Sequence, residues 1–286
     1  MIFKKLRDSL KLSYKVFLSL VILGILLVAY GVFIERGWIE ETEYTVEAPG
    51  WQGREARLAV LADLHAHPYD GDYLDEVVKR TLALKPDAVL LLGDYMCGRP
   101  GNPFISSMEE AEIAEHLKPL TAVPCFAVLG NHDHWHDPAA ITTALEGIGI
   151  HLMEGKRERL MIDNQPLDIG GIRCLFTFRT PGKVPQPEQG VPMVLLSHTP
   201  YGTSFAPRGT LITVSGHLHG GQVCLPAIGA LFSIDPHVPV SRTNGAHTLK
   251  DGRLEYVSRG VGTSVLPIRL FCRPELLLLR IRGRGE

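Results

Sequence analysis

The chain has 286 residues, of which 45% are hydrophobic and 21% are charged. This composition excludes a disordered or collagen-like protein, and the length is sufficient for one globular domain with a large core. The 29 Lys and Arg residues nearly balance the 31 Asp and Glu residues, so no basic surface typical of nucleic-acid binding is indicated. The sequence leaves the oligomeric state open.

An apolar run without a charged residue extends from Val16 to Ile34, which is 19 residues. As a helix it is roughly 28 Å long, close to the hydrocarbon thickness of a bilayer. Basic residues dominate before the run and acidic residues after it. We therefore predict a basic flank at 1–15, an uncleaved single-pass inner-membrane anchor at 16–34 and the rest of the chain on the extracytoplasmic side, with Trp38 at the membrane interface. A cleaved signal peptide and a buried soluble helix remain the alternatives.

A linker and edge segment at 35–56 precedes a region, 57–282, in which strand and helix patterns alternate. The first half predicts β-α-β-α-β order, with the segments Arg57–Ala62, Tyr73–Leu84, Ala88–Leu92, Ser107–Leu117 and Cys125–Leu129. Asp137 and Pro138 then predict the start of another helix. The second half is rich in strands, at 160–162, 173–178, 193–197, 210–215, 253–258 and 275–281. These patterns predict the α/β class, as a layered β-sandwich flanked by helices.

Polar residues directly follow five of the predicted strands. Because strand ends of an α/β sheet converge on one rim, we expect a single site there. Carboxylate, amide and imidazole groups suit Mn, Fe or Zn. Seven ligands are too many for one ion but suffice for two divalent ions if Asp94 bridges them: Asp63, His65, Asp94, Asn131, His198, His217 and His219. Paired ions of this kind hydrolyse phosphoesters.

The motifs that carry these residues resemble those of the calcineurin-like metallophosphoesterases over residues 57–282: Asp63-Leu64-His65, Gly93-Asp94, Gly130-Asn131-His132-Asp133, Ser197-His198 and Gly216-His217-Leu218-His219. Two further stretches, Gly216–Pro226 and Ser258–Pro274, look like the membrane-associated bacterial YaeI/YkuE-type branch. That branch is similar to enzymes that hydrolyse UDP-2,3-diacylglucosamine in lipid A synthesis.

The resemblance implies a metallophosphoesterase-like four-layer α/β domain in which a metal-bridged hydroxide attacks phosphorus. It implies that Asp63, His65 and His219 hold the first ion, that Asn131, His198 and His217 hold the second, and that Asp94 bridges them. It also implies a catalytic role for His132, which would contact the scissile phosphate and help the leaving oxygen to depart.

Several positions depart from the family pattern or leave alternatives open. Cys97 stands where many relatives have a carboxylate that orients the histidine of the Gly-Asn-His motif, so the support of His132 is open. His67 and Arg99 are candidate substrate contacts, with rim and surface positions as the alternatives. The short segment between His198 and Gly216 leaves little room for a covering helix. The five scattered cysteines predict buried free thiols, which argues mildly against an outward domain, or one disulfide.

We therefore predict a membrane-anchored, two-metal phosphoesterase acting on a phosphodiester or pyrophosphate bond, including that of a lipid-linked or nucleotide-linked small molecule. A UDP-linked lipid A precursor is cytoplasmic, which conflicts with an outward domain. One alternative is a TIM-barrel amidohydrolase, whose His-x-His motif is matched by His65-Ala66-His67. The other is an anchored binding protein that keeps the fold and has lost activity.

Overall fold

The computed structural model describes residues 2–102 and 104–284, with side chains described from residue 10 onward, residue 103 apart. The first element is helix α1 (Ile2–Phe33), and the stretch Leu10–Gly37 is long and apolar enough to cross a membrane. Only 6% of its most apolar part is buried inside the protein. Met1 and the side chains of Lys4, Lys5 and Arg7, which belong to the predicted basic flank, lie outside the described part.

The first of two large sheets has six strands in the order β1-β14-β2-β3-β4-β5. They are β1 (Glu40–Glu47), β2 (Ala56–Leu61), β3 (Ala88–Leu91), β4 (Cys125–Ala127), β5 (His151–Leu152) and β14 (Glu275–Arg282). Strands β2 to β5 are parallel, whereas β14 is antiparallel to β2. The segment predicted as linker and edge therefore contributes the edge strand β1, which pairs with β14.

The second sheet also has six strands, in the order β12-β13-β9-β8-β7-β6. They are β6 (Arg157–Ile162), β7 (Gln165–Gly171), β8 (Met193–Leu196), β9 (Thr210–Ser215), β12 (Gly245–Thr248) and β13 (Leu254–Val257). A small hairpin of β10 (Cys224–Leu225) and β11 (Gly229–Ala230) lies between β9 and β12 in the chain. The predicted layered sandwich of the α/β class is confirmed, and two separate sheets exclude the TIM-barrel alternative.

Alternation along β2 shows how the layers are held together. Leu58 and Val60 pack between the two sheets, whereas Ala59 and Leu61 face the helices on the other side. Successive side chains of a strand point to opposite faces, so one apolar strand buries residues in both cores. The helices on the outer face of the first sheet are α2 (Gly71–Ala83), α3 (Glu110–Leu117) and α5 (Pro138–Gly147).

The outer face of the second sheet is covered by less regular structure. Ile172 and Leu195 pack there against a single 3-10 helix, Pro200–Phe205, and the loop after it. This short 3-10 helix is all the helical structure in the described segment between His198 and Gly216. The segment therefore has no longer covering helix, in agreement with its small number of residues.

The strand predicted at Arg173–Phe178 is wrong, because this segment forms turns after β7 has ended. Its apolar side chains pack individually. The Phe176 ring lies 4.6 Å from that of His217, and the Phe178 ring lies 5.0 Å from that of His134. An apolar run that covers a site rim therefore looks the same in sequence as a buried strand. The five cysteines are all free and buried, as expected.

Candidate metal centre

The predicted polar residues meet at the ends of five strands of the two sheets. Strands β2, β3 and β4 lead to Asp63 and His65, to Asp94, and to Asn131 at the start of the short helix α4 (Asn131–Trp135). Strand β8 leads to His198, and β9 leads to His217 and His219. All seven predicted ligands are buried, with at most 4% of any residue exposed. The rim expected from the sequence is thus one shared, enclosed centre.

Five of these residues have a left-handed backbone conformation, which is uncommon outside glycine. Such a conformation costs on the order of 1–3 kcal/mol and persists only where the surrounding structure enforces it. The residues are Asp63 (φ 54°), His65 (φ 44°), Asp94 (φ 56°), His217 (φ 74°) and His219 (φ 51°). These five conformations therefore lower the stability of the fold, and they direct the five side chains into the centre.

Six of the seven predicted ligands form two groups, and the ligand atoms within each group lie within 4.8 Å of one another. Asp63, His65 and His219 form one group, and Asp94, His198 and His217 form the other. In the first group the Nε2 atoms of His65 and His219 are 3.0 Å apart.

Asp94 lies between the two groups. Its Oδ2 is 3.6 Å from His65 Nε2 and 3.3 Å from His198 Nε2. The amide oxygen of Asn131 is 3.1 Å from the same His198 nitrogen, and His217 Nδ1 is 3.2 Å from it.

Hydrogen bonds to the backbone fix which ring nitrogens point into the centre. His65 Nδ1 donates to the Met96 carbonyl at 3.1 Å, and His198 Nδ1 donates to the Leu92 carbonyl at 2.8 Å. The His65 Nε2 is then an unprotonated ligand atom in a neutral ring. Burial alone would lower the pKa of His198, but the Asp94 carboxylate raises it well above its usual value, so a cation bound here would replace the Nε2 proton. Lone pairs and carboxylate oxygens that face one another at this distance repel, and divalent cations between them relieve the repulsion. The residues present therefore fit a metal centre.

Burial also sets the protonation of these groups. It lowers the pKa of His65 and that of His217 to about 3, so both rings are neutral at pH 7, as ligands must be. Burial raises the pKa of Asp63 to about 7, with the charge of Asp94 adding to the effect. A cation favours the ionised carboxylate and reverses that shift.

His132 lies beside the centre and is held by a contact that the sequence did not indicate. Its Nδ1 donates to the Gly98 carbonyl at 2.8 Å, and its backbone N–H donates to Asp94 Oδ1 at 2.8 Å. The Cys97 thiol instead donates to the Ser106 carbonyl at 3.0 Å. A ring nitrogen of His132 is within 4.8 Å of ligand atoms of His65 and Asp94, so proximity alone also allows it to be a ligand.

Sequence reasoning assigned no role to Asp133, which is fully buried beneath the centre. Its Oδ2 accepts the N–H groups of Asp94 and Gly130, each at 2.8 Å. Its Oδ1 accepts those of Tyr95 at 2.9 Å and Met96 at 3.0 Å. One carboxylate thus holds both strand-end loops in place, and no local pattern distinguishes it from a ligand.

Arg269 is a second residue that was missed, and it is also fully buried. Its Nη2 donates to the carbonyls of Arg259 at 2.7 Å, Gly260 at 3.0 Å and Gly262 at 2.6 Å. Gly262 in turn donates its N–H to the Asp63 carbonyl at 2.8 Å. The stretch 258–274 therefore braces the first ligand loop.

A close approach also explains a glycine in the Gly-His-Leu-His motif. A Cβ atom at Gly216 would lie 2.6 Å from Asp63 Oδ2. Only glycine leaves the carboxylate in its present position.

A cavity of about 330 Å³ opens onto the centre, and five polar side chains of the centre line it: Asp94, Asn131, His132, His217 and His219. Apolar side chains form much of the remaining wall: Trp135, Phe176, Ile105, Ile234 and Val265.

The two candidate substrate contacts differ in position. Arg99 lines the cavity, with its guanidinium 4.1 Å from the Trp135 ring centre. His67 is not among the cavity-lining residues in the described part of the chain. It donates to the Ser106 carbonyl at 3.2 Å and stacks on Tyr69. Substrate contact by either residue stays a prediction.

Comparison with known proteins identifies a family whose members are metal-dependent, in agreement with a candidate metal centre. Residues 56–221 match the calcineurin-like phosphoesterase family, which is more than half of the chain, so the chain belongs to this family of metal-dependent phosphoesterases. It is similar to a protein named phosphodiesterase YaeI from Escherichia coli (strain K12), at 26% identity over 88% of this chain and 92% of the relative. An uncharacterized metallophosphoesterase from Aquifex aeolicus is 28% identical over 92% of this chain and 99% of its own. A zebrafish relative named transmembrane protein with metallophosphoesterase domain is 26% identical over 77% of this chain and 52% of its own.

Proposed function

We propose that this member of the calcineurin-like phosphoesterase family is a membrane-anchored enzyme that uses two divalent ions to hydrolyse a phosphodiester or pyrophosphate bond in a lipid or nucleotide-linked lipid. The observation that carries the proposal is the position of Asp94, whose Oδ2 lies 3.6 Å and 3.3 Å from histidines of the two ligand groups. When bound, the ions, for which Mn, Fe and Zn suit the donor set, supply positive charge at the phosphate and make water nucleophilic at neutral pH.

The ligands divide between the two ions. Asp63, His65 and His219 would hold one ion. His198 and His217, with the Asn131 amide oxygen, would hold the other, and Asp94 would serve both. The backbone bonds of His65 and His198 support this division, because they direct Nε2 toward the centre and fix the tautomer.

His132 would act on the leaving group. With Nδ1 donating to the Gly98 carbonyl, Nε2 is the ring atom available to hold a proton for the departing oxygen. Arg99, at the cavity wall, would bind a non-bridging phosphate oxygen through a charge-assisted hydrogen bond. Its stacking on Trp135 keeps the guanidinium directed along the wall.

The exposed apolar surface of α1 and the basic residues that precede its uncharged run 16–34 support the membrane anchor and an outward catalytic domain. The zebrafish relative, which is named a transmembrane protein, agrees with an anchor. A C-terminal alkaline phosphatase fusion tests the orientation, because that reporter is active only outside the cytoplasm. An active fusion also excludes a cytoplasmic nucleotide-linked lipid as the substrate, whereas an inactive fusion contradicts the outward domain.

The YaeI relative is named a phosphodiesterase, which supports a diester substrate, and the apolar cavity wall supports an apolar portion of that substrate. The test uses the full chain in detergent, reconstituted with Mn, Fe or Zn, and a panel of bis-p-nitrophenyl phosphate, nucleotides, phospholipids and UDP-linked lipids. We expect turnover of the diester and of at least one lipid. No turnover of any compound with any of the three metals would contradict the proposal.

A further inference from the structure

An exposed apolar surface lies beyond the metal centre. We call it the apolar loop surface and define it by six side chains that are each between 47% and 74% exposed: Ile228, Leu231, Phe232, Val265, Leu266 and Phe271. They belong to the β10–β11 hairpin region and to the loop 264–271. Single exposed apolar residues are ordinary, but a contiguous group marks a binding surface.

The two loops form one unit. Val223, at the start of the hairpin, pairs with Leu270, and the Cys224 N–H donates to the Leu270 carbonyl at 2.8 Å. The side chain of Gln222 donates to the Ser264 carbonyl at 3.0 Å and accepts the Ser264 N–H at 2.8 Å. These bonds connect the start of the hairpin to both ends of the loop 264–271.

The same unit is attached to the end of helix α1. The Arg269 N–H donates to the Gly31 carbonyl at 3.2 Å, and a Cβ at Gly31 would lie 2.7 Å from the Arg269 oxygen. The buried Glu35 carboxylate accepts the Cys272 N–H at 2.6 Å. Because an α-helix rises about 1.5 Å per residue, Gly31 lies roughly 5 Å before the end of the uncharged run. The loop therefore lies level with the last turn of the apolar helix.

The unit also borders the cavity. Ser264 and Val265 line it, as does Ile234, which is 51% exposed and follows the hairpin. The loop 264–271 thus both contacts the end of α1 and contributes to the cavity wall.

We propose that the apolar loop surface is a second membrane contact, which inserts into the boundary between headgroups and acyl chains beside α1. This inference rests on the proposed membrane anchor. A bilayer is the occupant that the surface fits, because the surface continues the exposed apolar side of α1 and none of its six residues is charged. The cavity mouth is then held at the bilayer, so that a lipid phosphoester enters headgroup first while its acyl chains stay in the membrane.

Depth-dependent quenching tests the contact. The full chain with Phe232→Trp is reconstituted in phosphatidylcholine vesicles with and without phosphatidylcholine brominated on its acyl chains, and the signal of the unaltered chain is subtracted. The control is Met161→Trp on β6, because Met161 has a similar exposure of 55% against 64% for Phe232. We expect the bromolipid to quench the indole at position 232 and to leave the control unquenched. Equal quenching of the two variants would overturn the proposal.

Activity provides a second readout. The double variant Leu231→Ser, Phe232→Ser changes exposed residues outside the cavity wall. We expect unchanged hydrolysis of bis-p-nitrophenyl phosphate and about a 100-fold loss with phospholipid in vesicles, since burial of each of the two side chains favours the docked arrangement by about 10-fold. Unchanged lipid hydrolysis would also overturn the proposal. If the unaltered chain hydrolyses neither substrate, the proposed function fails, while the quenching result still decides the membrane contact.

Discussion

Asp133 allows a quantitative test of how the loop that carries Asp94 is held. Its fully buried carboxylate accepts four backbone N–H groups at 2.8–3.0 Å. Asp133→Ala leaves all four donors without their acceptor in the protein interior. A buried unsatisfied group costs about 1–3 kcal/mol, so the expected loss of stability is at least about 4 kcal/mol even where water relieves part of it. This is a large share of the roughly 5–15 kcal/mol that stabilises a folded domain.

The assay is thermal unfolding of the full chain in detergent micelles. One kcal/mol corresponds to about 2–4 °C for a domain of this size, so we expect Asp133→Ala to lower Tm by roughly 8–16 °C. Asp133→Asn keeps one acceptor oxygen and should lie between this variant and the unaltered chain. Asp72→Ala, at an exposed position in the first turn of α2, is the matched control and should have little effect. A similar Tm for Asp133→Ala and the control would refute the reasoning.

Three further substitutions test individual contacts. His132→Ala should retain both ions and lower kcat by about 10²–10⁴-fold, the range of acid–base assistance; loss of metal would instead identify His132 as a ligand. Gly216→Ala places a Cβ where Asp63 Oδ2 is 2.6 Å away, and we expect metal affinity to fall by about 10–100-fold in a titration; unchanged affinity would show that the loop yields easily. Arg99→Ala should raise KM by about 10-fold with little change in kcat, and an unchanged KM would remove Arg99 from the substrate site.

Much of the first half of the domain could be predicted because its patterns are local. The apolar runs of β2, β3 and β4 each end directly before a polar cluster, so the convergence of the candidate ligand residues followed from strand order. The helix of α5 also begins where Asp137 and Pro138 indicated, with the Asp137 carboxylate accepting two N–H groups of the first turn. In these segments, the secondary structure and the positions of the polar residues are both determined by residues that are adjacent in sequence.

The rest depends on contacts between distant segments. Three of the four N–H groups bonded to Asp133 belong to residues 94–96, and Arg269 bonds to three carbonyls of residues 259–262, so neither role can be predicted from the adjacent sequence alone. The run Arg173–Phe178 has the composition of a strand but packs as turns against the site. The exposed Phe232 likewise has no sequence feature that separates it from a core residue. Burial of such groups is decided by the tertiary fold.

Metal content tests the central claim most directly. The full chain is purified in detergent, loaded with Mn, Fe or Zn, freed of excess metal, and its bound metal is measured by elemental mass spectrometry beside Asp94→Asn and the exposed control Asp72→Asn. We predict two ions per chain for the unaltered protein and the control, and loss of both in Asp94→Asn, because that carboxylate lies between the two ligand groups. A single ion in the unaltered chain, or two ions retained in Asp94→Asn, would contradict a shared two-metal centre.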